Sequence, residues 1–124
     1  MKNLGCGDNI DDLGEEAEHV IKFVALYRVP EDSEAFDRAY FQTHLPLLAS
    51  TPGLQRTKVA RVTRTLLGEP AYYLLAEMYF ADRDALRAAL KSREWAASGE
   101  NLQSFGGMDL ATMFTAEVVE PPAS

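Results

Sequence analysis

Apolar residues recur along the chain either at every second position or at helical spacing. The first alternating run is HVIKFVALYRV, in which apolar side chains recur from Ile21 to Val29. This pattern predicts a strand with one buried face, which Pro30 ends. The next run, EDSEAFDRAYFQTHLPLL, carries aromatic residues at helical spacing, and Ser33 precedes them as the predicted N-cap. A first strand and a first helix are therefore expected, and Pro52-Gly53 is the predicted turn into the second strand.

The second half of the chain predicts two strands, a helix and a last strand. The run LQRTKVARVTRTLL at 54–67 alternates weakly, whereas AYYLLAEMYFA at 71–81 is the strongest strand pattern in the sequence. A helical segment follows at 82–105, with Asp82 as its predicted N-cap and a break expected at Gly99. The run DLATMFTAEVVE is the last predicted strand.

The order β-α-β-β-α-β predicts an α+β fold of the ferredoxin-like kind, with a four-stranded antiparallel sheet and two helices on one face. Alternation in the third strand predicts two sets of side chains, one toward the helices (Tyr72, Leu74, Met78 and Phe80) and one on the open face (Tyr73, Leu75 and Tyr79). An apolar sheet face has to be buried. A homodimer through the open sheet face is therefore predicted.

Charge and length divide the 124 residues into one domain at 19–120, an acidic leader at 1–18 that we expect to be flexible, and a short tail at 121–124. The net charge of −7 and the pI near 4.7 argue against nucleic acid or an anionic membrane as a partner. The single cysteine, Cys6, excludes an intrachain disulfide. Neither a signal peptide nor a membrane-spanning run is visible, so a cytoplasmic protein is predicted.

Two segments resemble EthD-type proteins of the dimeric α+β barrel superfamily. They are FVALYRVPEDSEAFDRAYFQTHLPLLASTPGL at 23–54 and AEMYFADRDALRAALKSREWAASGENLQSF at 76–105. The likeness rests on H-x-P-L, then P-G-L, then E-M-Y-F with a helix behind it, and it extends over about 19–120. The resemblance implies two sheets that close into a barrel across a dimer, and a small apolar pocket in each subunit. It also implies aromatic or polyketide-like compounds as ligands, and in some members cofactor-free enzymes.

His44 is the first candidate for chemistry. Pro46 disfavours helical geometry at Leu45, so we expect the helix to kink or restart there and His44 to point inward. Tyr40 lies one helical turn earlier on the same side. A neutral imidazole exchanges protons near pH 7, which predicts His44 as a catalytic acid or base with Tyr40 beside it. The alternative is a histidine at a helix end that is bonded to backbone carbonyls.

Apolar and phenolic side chains are predicted to form the walls of a small-molecule pocket. The predicted substrate-binding residues are Tyr27, Phe41, Tyr72, Met78, Trp95 and Phe105. Ordinary core packing is the alternative for each of them. Glu77 is predicted to face the open side of the sheet and to pair with Lys58, Arg61 or Arg64. No CxxC or HExxH spacing is present, so neither a metal site nor a cofactor is predicted.

Three functions remain open from the sequence. The first is a cofactor-free enzyme that acts on a small aromatic or polyketide-like compound, with His44 as its acid or base. The second is a non-catalytic protein that binds such a compound, or an accessory protein of a degradation pathway. The third is haem binding with His44 as an axial ligand.

Overall fold

The computed structural model describes residues 20–119, so the predictions for the leader and for the tail lie outside the described residues. In chain order the elements are β1 (Ile21–Arg28), α1 (Ser33–Ala39), a π-helical turn (Tyr40–His44), α2 (Leu45–Ala49), β2 (Leu54–Arg61), β3 (Tyr72–Phe80), α3 (Arg83–Leu90), α4 (Arg93–Ser104), α5 (Gly107–Leu110) and β4 (Ala111–Glu117). The four strands form one antiparallel sheet in the order β2-β3-β1-β4. The predicted α+β ferredoxin-like fold is confirmed.

The core lies between the helices and one face of the sheet. Alternate residues of β3 are buried from Leu74 to Phe80, and Ala25 of β1 lies opposite Ala76 in the same layer. Phe36 and Leu102 bring α1 and α4 into this cluster. Because side chains alternate across a strand, the residues between them, such as Leu75, face away from the helices.

The prediction that Tyr73 lies on the open face of the sheet is wrong. Its ring packs edge-on against Phe36 of α1 at a centroid distance of 5.9 Å, and its hydroxyl donates to the carboxylate of Asp37 at 2.9 Å. Tyr73 therefore lies on the helix side, next to Leu74 of the same layer. A register shift in the β1–β3 pair between Tyr27 and Arg28 accompanies this break in alternation. Such an irregularity depends on the partner strand and so escapes a pattern of period two.

Two strands are shorter than predicted. β1 ends at Arg28, and Val29 is exposed. β2 ends at Arg61; it lies at the edge of the sheet and pairs with β3 alone. Leu66 and Leu67, which were expected at the end of that strand, are exposed in the connection that follows.

The helix caps confirm one prediction and correct another. Asp82 caps α3, since its carboxylate accepts a hydrogen bond from the backbone N–H of Ala85 at 2.8 Å. The cap of α1 is Asp32, whose carboxylate accepts from Ala35 N–H at 3.1 Å, and Ser33 is already the first helical residue. Both residue types are good N-caps, but only the residue with extended backbone geometry fills that role.

The second helical segment divides at Ser92 and continues through Gly99. The Ser92 hydroxyl accepts from Trp95 N–H at 3.1 Å and begins α4, so two helices stand where one was predicted. Gly99 lies inside α4, and the predicted break there is wrong. A single glycine costs a helix about 1 kcal/mol, which the buried neighbours Ser98 and Leu102 offset.

The turn Pro52-Gly53 sends the chain from α2 into β2, as the sequence predicts. Gly53 has φ of +82°, a left-handed conformation that residues with a Cβ rarely adopt. The backbone N–H of Leu54 donates to the carbonyl of Thr51 at 3.3 Å and closes the turn. β2 therefore begins directly after the glycine.

Glu77 faces the open side of the sheet, but its partner differs from the prediction. Its carboxylate accepts from Nζ of Lys22 in β1 at 2.7 Å. Lys58 lies directly opposite Glu77 in the β2–β3 pair but makes no ion pair with it. Lys22 lies opposite Tyr79, so the ion pair is a diagonal contact, which long side chains reach across neighbouring strands.

Candidate functional site

A cavity of about 80 Å³, partly open to solvent, lies between the helix-facing side of the sheet and the helices. Its walls come from β1, β3 and β4 on one side and from the π-helical turn, α2, α4 and α5 on the other. The lining residues are Phe23, Ala25, Tyr27, Tyr40, His44, Leu48, Met78, Trp95, Ser98, Gly99, Leu102, Met108 and Met113. Most of these side chains are apolar, and the imidazole and two phenols are the notable exceptions. This composition is typical of a small-molecule pocket.

The π-helical turn places Tyr40 and His44 next to each other on the cavity wall. The backbone N–H of Leu45 donates to the carbonyl of Tyr40, five residues earlier, which widens the helix at this point. Pro46 explains the widening, because its ring clashes with the carbonyl four residues earlier in a regular α-helix and provides no N–H. Leu45 keeps helical angles, so the predicted kink at this residue is replaced by the wider turn before it.

His44 is buried, with 4% of its surface exposed. Burial lowers the pKa of its imidazole below the ordinary value of 6.5, and nearby polar groups, the Asn101 side chain and the Ser98 backbone, offset part of this effect. Nδ1 nevertheless has no hydrogen-bond partner within residues 20–119. The ring is therefore neutral at pH 7, when it has both a donor and an acceptor nitrogen.

Two phenols share the cavity lining with the imidazole, one directly beside it and the other beside the first phenol. The Tyr40 ring lies 5.1 Å from that of His44 and 5.4 Å from that of Tyr27, measured between centroids. Burial raises the pKa of Tyr27 to about 12 and raises that of Tyr40 further. Tyr40 is fully buried, and although the Tyr27 hydroxyl lies near enough to influence its pKa, no hydrogen bond of good geometry satisfies the Tyr40 hydroxyl within residues 20–119. Both phenols stay protonated at neutral pH and are available as neutral donors.

The remaining walls are apolar, and two methionines stand at the accessible part of the cavity. Phe23 and Trp95 pack edge to face with ring centroids 4.8 Å apart. Met108 of α5 and Met113 of β4 are each 38% exposed. Methionine side chains are flexible and adapt to different neighbours. The width of the cavity on this side therefore depends on two adaptable side chains.

The structure brings five of the eight predicted site residues to the cavity and leaves three outside its lining. The five are Tyr27, Tyr40, His44, Met78 and Trp95. Phe41 packs on Tyr40 from the exposed side, at 5.4 Å between ring centroids. Phe105 lies behind His44 at 6.4 Å and supports the wall. Tyr72, at the start of β3, is half-buried and does not reach the cavity.

Several lining residues were not predicted from the sequence. Ser98, Gly99 and Leu102 share one face of α4 with Trp95, since they follow it by three, four and seven positions. That spacing was visible in the sequence and could have identified them. Met113 reaches the cavity because β4 pairs it with Ala25 of β1, a long-range register that the local pattern does not contain.

Within residues 20–119 no helix is long and apolar enough to cross a membrane. The same part of the chain contains no group of three or more His, Cys, Asp or Glu side chains arranged to hold a metal ion.

The fold and the cavity together define a ferredoxin-like domain with a small apolar pocket between sheet and helices. Residues 28–105 match the EthD domain, and the chain belongs to the EthD family. It is 40% identical to an ethyl tert-butyl ether D (EthD) family protein of Bacillus halodurans, whose crystal structure superposes with a TM-score of 0.75 over 81% of this chain and 99% of that one. It is also 27% identical over 92 residues to an uncharacterized 11.0 kDa protein of Rhodococcus erythropolis from the thcB-thcC intergenic region, which corresponds to 74% of this chain and 89% of that protein.

Two more distant structures share the fold alone. One is SnoaB, a cofactor-independent oxygenase of Streptomyces nogalater, at 18% identity and a TM-score of 0.57 over 85% of this chain and 96% of that one. The other is a dimeric ferredoxin-like protein of unknown function from Jannaschia, at 20% identity and a TM-score of 0.62 over 80% of this chain and 99% of that one.

Proposed function

We propose that this protein is an enzyme that binds a small, uncharged, largely apolar compound in the cavity, with His44 as the acid, base or orienting group. The observation that carries the proposal is a buried neutral imidazole on the wall of an apolar cavity that two neutral phenols also line. A neutral histidine both accepts and donates protons near pH 7. A charged ligand fits poorly, since a charge in such surroundings lacks a counter-ion.

The size of the cavity limits the size of the ligand. About 80 Å³ is well below the 300 Å³ or more of a pocket for a drug-sized molecule. An engineered cavity of about 150 Å³ holds one benzene ring. A single ring therefore requires Met108 and Met113 to move outward. A polyketide or a haem macrocycle is larger still, so we favour a compound of one ring or fewer.

The protein SnoaB supports the catalytic form of the proposal only through its fold. It is described as a cofactor-independent oxygenase, which shows that this architecture accommodates chemistry on an organic substrate without a cofactor. We assign any conversion of the ligand to His44, because it is the one histidine within residues 20–119 and it lines the cavity.

The test is binding of phenol, cyclohexanol and benzoate, followed by NMR on the protein and on each compound. We expect phenol or cyclohexanol to shift signals of cavity residues, and benzoate to bind at least about tenfold more weakly because its charge is not compensated. His44→Asn should reduce affinity or conversion, whereas His19→Asn, the same change at the other histidine, should reduce neither. Unchanged binding and conversion in His44→Asn would reject the role of His44.

A non-catalytic binding or accessory protein is the second candidate. The small, partly open cavity favours it, because water is not excluded from the bound compound. Binding of phenol or cyclohexanol with no change in the compound over days, in air and at several pH values, would favour this alternative.

We also propose that the chain forms a homodimer through the open face of its sheet. Leu26 and Leu75, opposite each other in the β1–β3 pair, are half-buried, and Phe114 of β4 is 46% exposed beside Val24. An apolar sheet face of this kind is normally covered. The Jannaschia protein of the same fold is described as dimeric.

A further inference from the structure

Three cations surround one aromatic ring at one end of the open sheet face. Nζ of Lys22, Cζ of Arg56 and Nζ of Lys58 lie 5.8, 5.4 and 5.9 Å from the centroid of the Tyr79 ring. We call these four residues the basic patch. Lys22 and Arg56 are the cross-strand partners of Tyr79 in β1 and β2, and Lys58 follows two positions further along β2. The pairing of three strands therefore holds the cations together.

The negative charge near the basic patch does not balance its three cations. Glu77 pairs with Lys22 at 2.7 Å. Arg56 and Lys58 are exposed and take part in none of the ion pairs formed within residues 20–119. Like charges held this close repel one another, and a counter-ion over the patch relieves that repulsion.

The chain carries its densest negative charge immediately before β1. Residues 1–19 contain one lysine, no arginine and six acidic side chains, in a protein whose net charge is −7. The acidic positions are Asp8, Asp11, Asp12, Glu15, Glu16 and Glu18. We refer to residues 8–18 as the acidic segment.

The acidic segment joins the sheet beside the basic patch. The chain enters β1 at Ile21, one position before Lys22. Neighbouring strands are about 4.8 Å apart, so β2 lies about 10 Å from β1 across the face. An extended chain advances about 3.3 Å per residue, so about three residues cross that distance. Glu16 and Glu18 are therefore within reach of Arg56 and Lys58.

A second pair of cations also lies near the start of β1, but both are already paired with carboxylates. Arg83 of α3 pairs with Glu117 at 3.4 Å, and Arg87 pairs with Asp84 at 2.8 Å. The two arginines and Glu117 line a groove of about 390 Å³ that also includes Ile21. Because each arginine has its own carboxylate, this groove attracts an acidic peptide less strongly than the basic patch does.

We propose that the acidic segment docks over the basic patch of its own chain, with Glu15, Glu16 and Glu18 as counter-ions of Arg56 and Lys58. The segment then covers the charged end of the open face on the side of β2, and leaves Leu26, Leu75 and, at the β4 edge, Phe114 uncovered. In a dimer through that face, it also neutralises the positive charge that each copy brings to the interface.

The test places a nitroxide label at position 17 of the full-length protein, through Ala17→Cys in a Cys6→Ser background. We expect paramagnetic broadening of the backbone amide signals of Arg56, Lys58 and Tyr79 in about 0.05 M salt, and its loss in about 0.5 M salt, because ions screen exposed charges. Arg56→Gln/Lys58→Gln should abolish the broadening. Arg83→Gln/Arg87→Gln, a matched loss of two charges, should preserve it.

Four results would overturn the proposal. Three of them are broadening centred on α3, no broadening near the basic patch at low salt, and broadening that the Arg56→Gln/Lys58→Gln variant keeps. A mixed sample tests whether the segment belongs to a partner copy: one protein is isotope-labelled and lacks nitroxide, and the other is unlabelled and carries it. Broadening at Tyr79 as strong as in the single species would assign the segment to the partner copy. That result would overturn docking on its own chain. The amide spectrum of each variant confirms that it is folded. None of these readouts depends on a ligand in the cavity.

Discussion

At the scale of single residues, the clearest sign of function is a pair of buried polar atoms without hydrogen bonds. The hydroxyl of Tyr40 and Nδ1 of His44 are enclosed by the protein, and neither has a partner within residues 20–119. Leaving such a group unpaired costs about 1–3 kcal/mol. Most buried polar groups in proteins are paired, so two such groups side by side on a cavity wall mark a place where a bound compound or water can supply the missing partner.

The lowered pKa of His44 makes stability depend on pH in a defined direction. Below pH 6.5 the unfolded chain binds a proton at this position, whereas the folded chain does so only below its lower pKa. The contribution of His44 to the free energy of unfolding therefore falls as the pH is lowered from 6.5 through the folded-state pKa. We expect urea unfolding to show a larger loss of stability between about pH 7.5 and about pH 5 in the wild type than in His44→Asn.

Comparison of the two proteins isolates His44, because every carboxylate and His19 titrate in both. An NMR titration of the His44 ring protons gives the same quantity directly, with a midpoint below 6.5 expected. Equal losses of stability in the wild type and in His44→Asn, or a midpoint above 6.5, would contradict the assignment of a buried, neutral imidazole.

Tyr40→Phe separates the stability of the site from its function. The hydroxyl of Tyr40 is buried without a partner, so its removal relieves an unpaired group while the ring remains. We expect the free energy of unfolding to stay the same or to rise by up to about 1 kcal/mol, and binding of phenol or cyclohexanol to weaken. Chemical denaturation and NMR titration measure the two effects. A loss of more than about 2 kcal/mol would show that the hydroxyl has a hydrogen bond after all.

At the scale of the elements, α4 is a continuous helix in spite of Gly99. Its backbone is helical through Gly99, and a Cβ built there meets no atom within 4 Å. We expect Gly99→Ala to raise the free energy of unfolding by about 0.5–1 kcal/mol, since alanine loses less conformational entropy in a helix. Because Gly99 lines the cavity, the added methyl group should also weaken binding of phenol or cyclohexanol.

Gly107 serves as the contrasting position for that experiment. A Cβ at Gly107 would approach Cδ1 of Leu102 to 2.5 Å in a buried place. Gly107→Ala should therefore lower stability by about 1–3 kcal/mol, the usual range for overpacking. Thermal unfolding of the two variants would refute the distinction if both shifted the midpoint in the same direction.

The sequence predicted several elements that local chemistry decides. The alternation of β3, the cap at Asp82 and the turn at Gly53 follow from side-chain direction, hydrogen bonding and backbone conformation within a few residues. The face of Tyr73 and the contribution of Met113 to the cavity depend on the register of a distant strand. The site was therefore predictable at His44 and Tyr40, which share one helical run, but not on the side built by β4.

At the scale of the whole molecule, the open face of the sheet is divided into a charged end and an apolar end. The rows that contain Tyr79 and Glu77 carry the cations of β1 and β2, whereas the row of Leu26 and Leu75 is apolar. Phe114 of β4 lies opposite Val24 in the row of Glu77, at the edge of the sheet farthest from the cations of β2, and adds an exposed apolar ring on that side. Burying a cation in an interface costs desolvation free energy, which burying an apolar side chain does not. A second copy is therefore best placed over the apolar end.

Phe114→Arg tests this arrangement without disturbing the core. The ring is 46% exposed and belongs to the open face, so the substitution places a charge on the predicted interface and leaves the cavity intact. We expect sedimentation at micromolar protein to show a dimer for the wild type and a shift toward monomer for Phe114→Arg, with at least a tenfold weaker association constant, which corresponds to about 1.4 kcal/mol. Leu67→Arg provides the matched control, because Leu67 is also exposed but lies in the β2–β3 connection. A monomeric wild type would reject the dimer. An equal loss of the association constant in both variants would show that the interface does not lie on the open face of the sheet.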